Sequence, residues 1–120
     1  MRVLFVCVGN TCRSQMAEGF ARSAGHETVS AGTSPGSGVA AKAVEVMAEL
    51  GIDVSGQSSD LLDLTTLDDW DMVISMGCGV EATCPALKPD LDWGLDDPFG
   101  QGLDSYRKTR DLIRNLVDEL

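Results

Sequence analysis

The chain has 120 residues, 43% of them hydrophobic and 23% charged, with a mean hydropathy of +0.01; this suits one compact domain, residues 1–120, and is too short for two. A formal net charge of −10 argues against nucleic acid or an anionic membrane as a partner, because both reward clustered Lys and Arg. Any anion site must therefore be built locally, against the long-range field.

Arg2 to Val6 is a short apolar, β-branched run that suits a buried strand. The longer apolar run Val3 to Val8 falls far short of the roughly 20 residues a membrane span needs, and no signal-peptide cleavage pattern follows it, so the expected location is the cytoplasm. Gly9-Asn10-Thr11 reads as a turn, and a helix is predicted from about Arg13 to Ala24, with Met16, Phe20 and Ala24 on one face. Glu27 to Ala31 is a second strand, closed by Gly32 to Gly36. Val39 to Leu50 is a second helix, with Val39, Ala43, Met47 and Leu50 as its stripe and Gly51 as its stop.

After the polar stretch Ser55 to Asp60 comes a short helical piece, Leu61 to Asp69, and then a third strand, Met72 to Ile74. Gly77 to Gln101 holds three of the four prolines and reads mostly as loop, with a short strand at Leu91 to Trp93. A last helix runs from about Leu103 to Leu120, where Leu103, Tyr106, Ile113, Leu116, Val117 and Leu120 keep helical spacing. Strand and helix alternate, which predicts an α/β fold: a parallel sheet with helices on both faces and ligands bound beyond the carboxyl ends of the strands. Cys7–Arg13 and Gly77–Cys84 both follow predicted strands and can meet at that edge.

The chemistry concentrates at Cys7-Val8-Gly9-Asn10-Thr11-Cys12-Arg13-Ser14. A strand, a cysteine, a tight loop and a helix start are the parts of an oxyanion cradle: successive backbone N–H groups of Val8, Gly9, Asn10, Thr11, Cys12 and Arg13 can turn inward, joined by the positive end of the helix. Gly9 permits close backbone approach, and Asn10 tolerates positive φ better than most residues. The planar fork of Arg13 matches two oxyanion oxygens. The same field favours a thiolate at Cys7, to which the Ser14 hydroxyl can add a hydrogen bond.

Four cysteines, Cys7, Cys12, Cys78 and Cys84, in a chain of intracellular character point to thiols rather than structural disulfides. The Cys78–Cys84 gap exceeds the usual spacing of zinc ligands. Cys78 and Cys84 on one glycine-rich loop permit thiol–disulfide exchange. His26, the only histidine, reads as surface.

Val6 to Gly19 closely resembles the opening of arsenate reductases built on the low-molecular-weight tyrosine phosphatase fold, and the resemblance continues through Ser30-Ala31-Gly32-Thr33, Ser58-Ser59-Asp60, Cys78 to Pro85 and Trp93 to Pro98. It implies a four-stranded parallel sheet with its phosphate-type loop after the first strand. It implies Cys7 as nucleophile, Arg13 as oxyanion clamp and Asp97 as general acid; Asp96 is the competing acid, while Pro98 would stiffen the loop that presents Asp97. Cys78 would attack the arsenic-loaded Cys7, and Cys84 would carry the disulfide outward to an external thiol reductant, thioredoxin or a low-molecular-weight thiol. No tightly bound cofactor is implied, and a monomer is expected. Asn10, Glu18, Ser30 and Asp60 match positions that bind K+ in potassium-responsive relatives, although Gln57 stands where those carry histidine. Cys12 is assigned to packing.

Two readings compete with arsenate reduction. A phosphatase acting on phosphate monoesters through a phosphocysteine would need Cys7, Arg13 and Asp97 but not Cys78 or Cys84. The loop from Gly32 to Gly38 holds no ring to stack on a phenol. A non-enzymatic anion sensor would need a partner, and nothing in the sequence requires one.

Overall fold

The computed structural model describes residues 1–77 and 87–120. Four strands, β1 (Arg2–Cys7), β2 (Glu27–Gly32), β3 (Met72–Ser75) and β4 (Leu91–Asp92), form one parallel sheet in the order β2-β1-β3-β4. Among the described residues, three α-helices accompany it: α1 (Arg13–Ser23), α2 (Ala41–Ala48) and α3 (Leu103–Asp118). From β1 the chain moves to one side for β2 and later crosses to the other for β3. The carboxyl end of β1 is thus the switch point at which such sheets bind ligands.

From Val3 onward β1 is apolar and buried because both of its faces are covered. Val3, Phe5 and Cys7 join α1, α2 and α3 in the larger core, while Leu4 and Val6 pack with Ala31, Val73 and Leu87 in a smaller one. All three α-helices lie on the first face. Among the described residues, the second face is covered by Leu62, Leu67 and Trp70, in and around a short 3₁₀ helix, Leu64–Asp69. Among the described residues, the first face carries α1, α2 and α3 and the second carries the 3₁₀ helix.

The differences from the expected elements have local causes. Cys7 belongs to β1, in register with Gly32. Ala24 is exposed, because a four-residue repeat overshoots 3.6 and drifts off the face; Ala17 and Ala21 are buried instead. Leu50 is also exposed, and Val46 takes its place beside Ala43 and Met47. α2 starts at Ala41, not Val39, because Ala40 stays extended to donate its N–H to the Thr11 carbonyl at 2.9 Å. Leu61 and Leu62 are drawn out of the 3₁₀ helix by pairing with Gly32, and Asp63 caps what remains through the Thr65 N–H. Gly51, with φ of 77°, follows the end of α2 as expected.

Candidate active site

The loop from Cys7 to Arg13 is held by its carbonyls. Cys7 O accepts from Thr33 N, Val8 O from Ser34 N, Gly9 O from Gly36 N, Thr11 O from Ala40 N and Cys12 O from Met16 N, all at 2.9–3.1 Å. The remaining carbonyl, Asn10 O, accepts from Gln15 Nε2 at 2.8 Å. With each carbonyl tied to the surrounding scaffold, the peptide N–H groups are left facing the hollow of the loop, which is the construction of an anion nest. No side chain caps the first turn of α1, and that turn contains no acidic residue. Its N–H groups thus remain open to an external anion. Gly32 makes the close packing possible: a Cβ there would sit 2.7 Å from Val8 O and 2.9 Å from Asn10 Cβ.

Cys7 lies buried at the base of this hollow. Its Sγ accepts the Asn10 backbone N–H at 3.1 Å and is 2.8 Å from Ser14 Oγ. Ser14 Oγ itself accepts from Asn10 Nδ2 at 2.7 Å, which leaves the hydroxyl proton free to point at the sulfur. Asn10 adopts φ of 50° to make these contacts. Two donors thus meet the Cys7 sulfur. Cys12 is different. It is buried against the Tyr106 hydroxyl at 3.3 Å, and its burial raises the thiol above its ordinary value despite the opposing pull of the Tyr106 and Thr11 hydrogen bonds. Burial also keeps the Tyr106 phenol protonated. The two loop cysteines sit in chemically distinct settings.

Arg13, the first residue of α1, is only 2% exposed. Its Nη1 donates to Met76 O at 3.1 Å and Leu95 O at 3.0 Å, which orients the guanidinium plane. Nη2 faces Asp97 Oδ2 at 3.6 Å. Asp97 Oδ1 accepts from the Phe99 N–H at 3.0 Å across Pro98, a tight turn that presents the carboxylate. Asp96 is exposed and has no ion pair among the described residues. The structure therefore brings Cys7, Ser14, Arg13 and Asp97 together at the carboxyl edge of β1, with Val8, Gly9, Asn10, Thr11 and Cys12 around them. Cys78 and Cys84 lie outside the described residues.

The residues considered for K+ are only partly gathered. Glu18, Ser30 and Asp60 line one open cleft with Arg22 and Gln57. Glu18, 6% exposed, already accepts from Ser30 Oγ at 2.8 Å and pairs with Arg22 across one helical turn. The Asn10 carboxamide is committed to Ser14 and to the Asp60 N–H. A guanidinium thus supplies the charge a cation would bring, and this donor set does not fit one. Among the described residues there is no other grouping of His, Cys, Asp and Glu suited to a metal.

Three residues that shape the site were not among those the sequence assigned to it. Gln15 and Gln57 are linked side chain to side chain at 2.8 Å although 42 positions apart, and Tyr106 reaches Cys12 across 94. For Gln15 the available hint was its place directly after Ser14.

The family model for low molecular weight phosphotyrosine protein phosphatase matches residues 2–120. The chain is 43% identical over 125 residues to a glutaredoxin arsenate reductase of Synechocystis sp., covering 99% of this chain and 95% of that protein. It is 38% identical over 121 residues to arsenate reductase 2 of Staphylococcus haemolyticus, covering 97% and 92%. Among solved structures, an arsenate reductase in the phosphate binding state superposes with a TM-score of 0.87 at 41% identity, covering 98% of this chain and 94% of that one. The YwlE arginine phosphatase of Geobacillus stearothermophilus gives 0.83 at 32% identity, covering 98% and 88%.

Proposed function

This chain belongs to the low molecular weight phosphotyrosine protein phosphatase family, and within that family we propose that it is an arsenate reductase, converting arsenate to arsenite in the cytoplasm. The observation that carries the oxyanion site is the loop whose carbonyls are all tied outward around Cys7. Reductase is favoured over phosphatase by the names of the relatives at 38–43% identity and by the pair Cys78 and Cys84, for which ester hydrolysis has no use.

In the proposed reaction the Cys7 thiolate attacks arsenic and a hydroxyl leaves as water, with Asp97 supplying the proton. Arg13 and the loop N–H groups hold the remaining oxygens. Cys78 then attacks the Cys7 sulfur; the S–As bond breaks, its electron pair stays on arsenic, and arsenite departs as As(III). A Cys7–Cys78 disulfide remains. Cys84 attacks Cys78, freeing the Cys7 thiol and leaving a Cys78–Cys84 disulfide for an external thiol reductant. The net change is one arsenate and two thiols to one arsenite, one disulfide and water. Thioredoxin and low-molecular-weight thiols are candidate reductants, and the name of the Synechocystis relative puts glutaredoxin beside them.

The test is arsenate-dependent NADPH oxidation, coupled separately to thioredoxin with its reductase and to glutaredoxin with glutathione and its reductase, against p-nitrophenyl phosphate hydrolysis. Cys7→Ser should lose both activities. Cys78→Ser should lose arsenite release but keep hydrolysis, in which water frees Cys7. Cys84→Ser should complete about one turnover and stall as the Cys7–Cys78 disulfide, because nothing carries the oxidation outward. Full hydrolysis without arsenate reduction under every reductant would transfer the function to the phosphatase reading.

A further inference from the structure

Both donors to Cys7 depend on Asn10: its backbone N–H reaches the sulfur directly, and its Nδ2 holds Ser14 in place to donate. Yet Asn10 sits at φ of 50°, a conformation that persists for a residue other than glycine only where its surroundings over-determine it. All four of its polar groups are engaged. The N–H meets Cys7, Nδ2 meets Ser14, Oδ1 accepts from Asp60 N at 2.9 Å, and the carbonyl accepts from Gln15 Nε2 at 2.8 Å. The last of these contacts comes from a side chain that is completely buried.

The Gln15 amide has a single workable orientation, and the reason lies beyond it. Its Nε2 faces two carbonyls, those of Asn10 and Ser58, both at 2.8 Å. Its Oε1 accepts from Gln57 Nε2 at 2.8 Å, and the other Gln57 amide proton goes to the Gln15 carbonyl at 3.0 Å. Gln57 Oε1 in turn accepts from Arg22 Nη1 at 2.9 Å. A guanidinium can only donate. Arg22 therefore fixes which end of Gln57 faces it, Gln57 fixes which end of Gln15 faces it, and Gln15 is left presenting its N–H groups to Asn10. Turning either amide over would set oxygen against oxygen. Arg22 is itself pinned through its ion pair with Glu18 on the same helix.

We propose that Gln15, steered by Gln57, is a positioning residue that sets the reactivity of Cys7 by holding Asn10 in its left-handed conformation. It touches neither the sulfur nor the oxyanion. It rests on Cys7 being the nucleophile but not on which oxyanion is processed. Releasing the Asn10 carbonyl lets the residue relax, withdraws one donor from the sulfur and unhooks Ser14 as the second, which makes Cys7 a slower nucleophile.

The experiment is the rate of iodoacetamide alkylation at pH 7, localised to Cys7 by fragmentation mass spectrometry, with a thermal melt to establish folding. Gln15→Met keeps the length of the side chain and removes its hydrogen bonds; its Cys7 alkylation rate is expected to fall by about three- to tenfold, the scale of one lost hydrogen bond. Gln57→Met, at a part-buried position, should slow the reaction by a smaller factor. Adding Gln15→Met to Asn10→Ala should produce no further slowing, since the two act in series. A side chain that only filled space would lower the melting temperature and leave the rate where it was. An unchanged rate in folded Gln15→Met overturns the proposal. If that variant does not fold, an unchanged rate in Gln57→Met does so. Failure of Cys7 to alkylate ahead of Cys12 in the unmutated protein would count against the nucleophile assignment instead, a separate outcome.

Discussion

Replacing Arg13 by lysine preserves a positive charge and removes a shape. The guanidinium spends Nη1 on two main-chain carbonyls, Met76 O and Leu95 O, and turns Nη2 toward the mouth of the loop, where Asp97 now faces it at 3.6 Å. An ammonium concentrates its donors at one atom. It can satisfy the two carbonyls or reach an oxyanion, but it cannot bridge both positions. Because the side chain is only 2% exposed and unpaired buried acceptors are costly, the carbonyls should win. The expected loss is then one transition-state donor, about 10²–10³-fold in turnover, or roughly 2.7–4 kcal/mol. Stability should suffer less: a loss of about 1 kcal/mol from imperfect hydrogen bonds would lower Tm by about 4–6 °C. The assay is arsenate-dependent NADPH oxidation at saturating arsenate beside a thermal melt of the same preparation. Turnover within about threefold of wild type would refute the clamp. So would a fall in turnover matched by wholesale unfolding, since the argument requires a folded, slow enzyme.

Asp97→Asn should reduce p-nitrophenyl phosphate hydrolysis by about 10²-fold or more, the usual scale of general acid catalysis, while the exposed neighbour Asp96→Asn should be far milder; the reverse order would transfer the acid role to Asp96. Away from the site, Glu49 accepts hydrogen bonds from Arg107 and Arg110, which hold its carboxyl down at about 2 against an ordinary 4.5. A depressed folded value contributes stability above the unfolded value that is lost as pH falls from about 4.5 toward 2. Urea unfolding at pH 7 and pH 3 should therefore show Glu49→Gln less stable than wild type at pH 7, with the gap narrowed to roughly two-fifths at pH 3; a constant difference between the two would show that the ion pairs at the α2–α3 junction contribute nothing.

Much of this molecule is written locally. β1 announces itself as an unbroken apolar run, and the step from Cys7 through Gly9-Asn10 to Arg13 specifies strand, turn and helix start within seven residues. The α/β alternation and the parallel sheet follow from the same short-range patterns. Spacing alone does not settle the ends of a helix: Ala24 and Leu50 continue a four- or three-residue rhythm yet end up in solvent, because such a rhythm drifts off the 3.6-residue face as the helix runs out. Where a helix starts is decided by what its first groups bond to: Ala40 is extended, its N–H given to Thr11 O.

The residues, then, were determined by sequence, whereas their mutual arrangement was decided by the tertiary structure. Arg13 is visible as an anion-binding side chain, but only the approach of Met76 and Leu95 orients its plane. Asp96 and Asp97 are equivalent by composition; the turn through Pro98 and the reach of Arg13 separate them. Cys7 and Cys12 belong to one loop, and it takes Tyr106, from the far end of the chain, to make one of them a packed thiol. Gln15 would pass as a polar helix residue, until burial and Gln57 turn its amide toward Asn10. A short loop can encode its own bend, because a bend needs only neighbouring dihedrals. The direction in which a buried polar group points is set by whichever partner can satisfy it, and those partners come from distant parts of the chain.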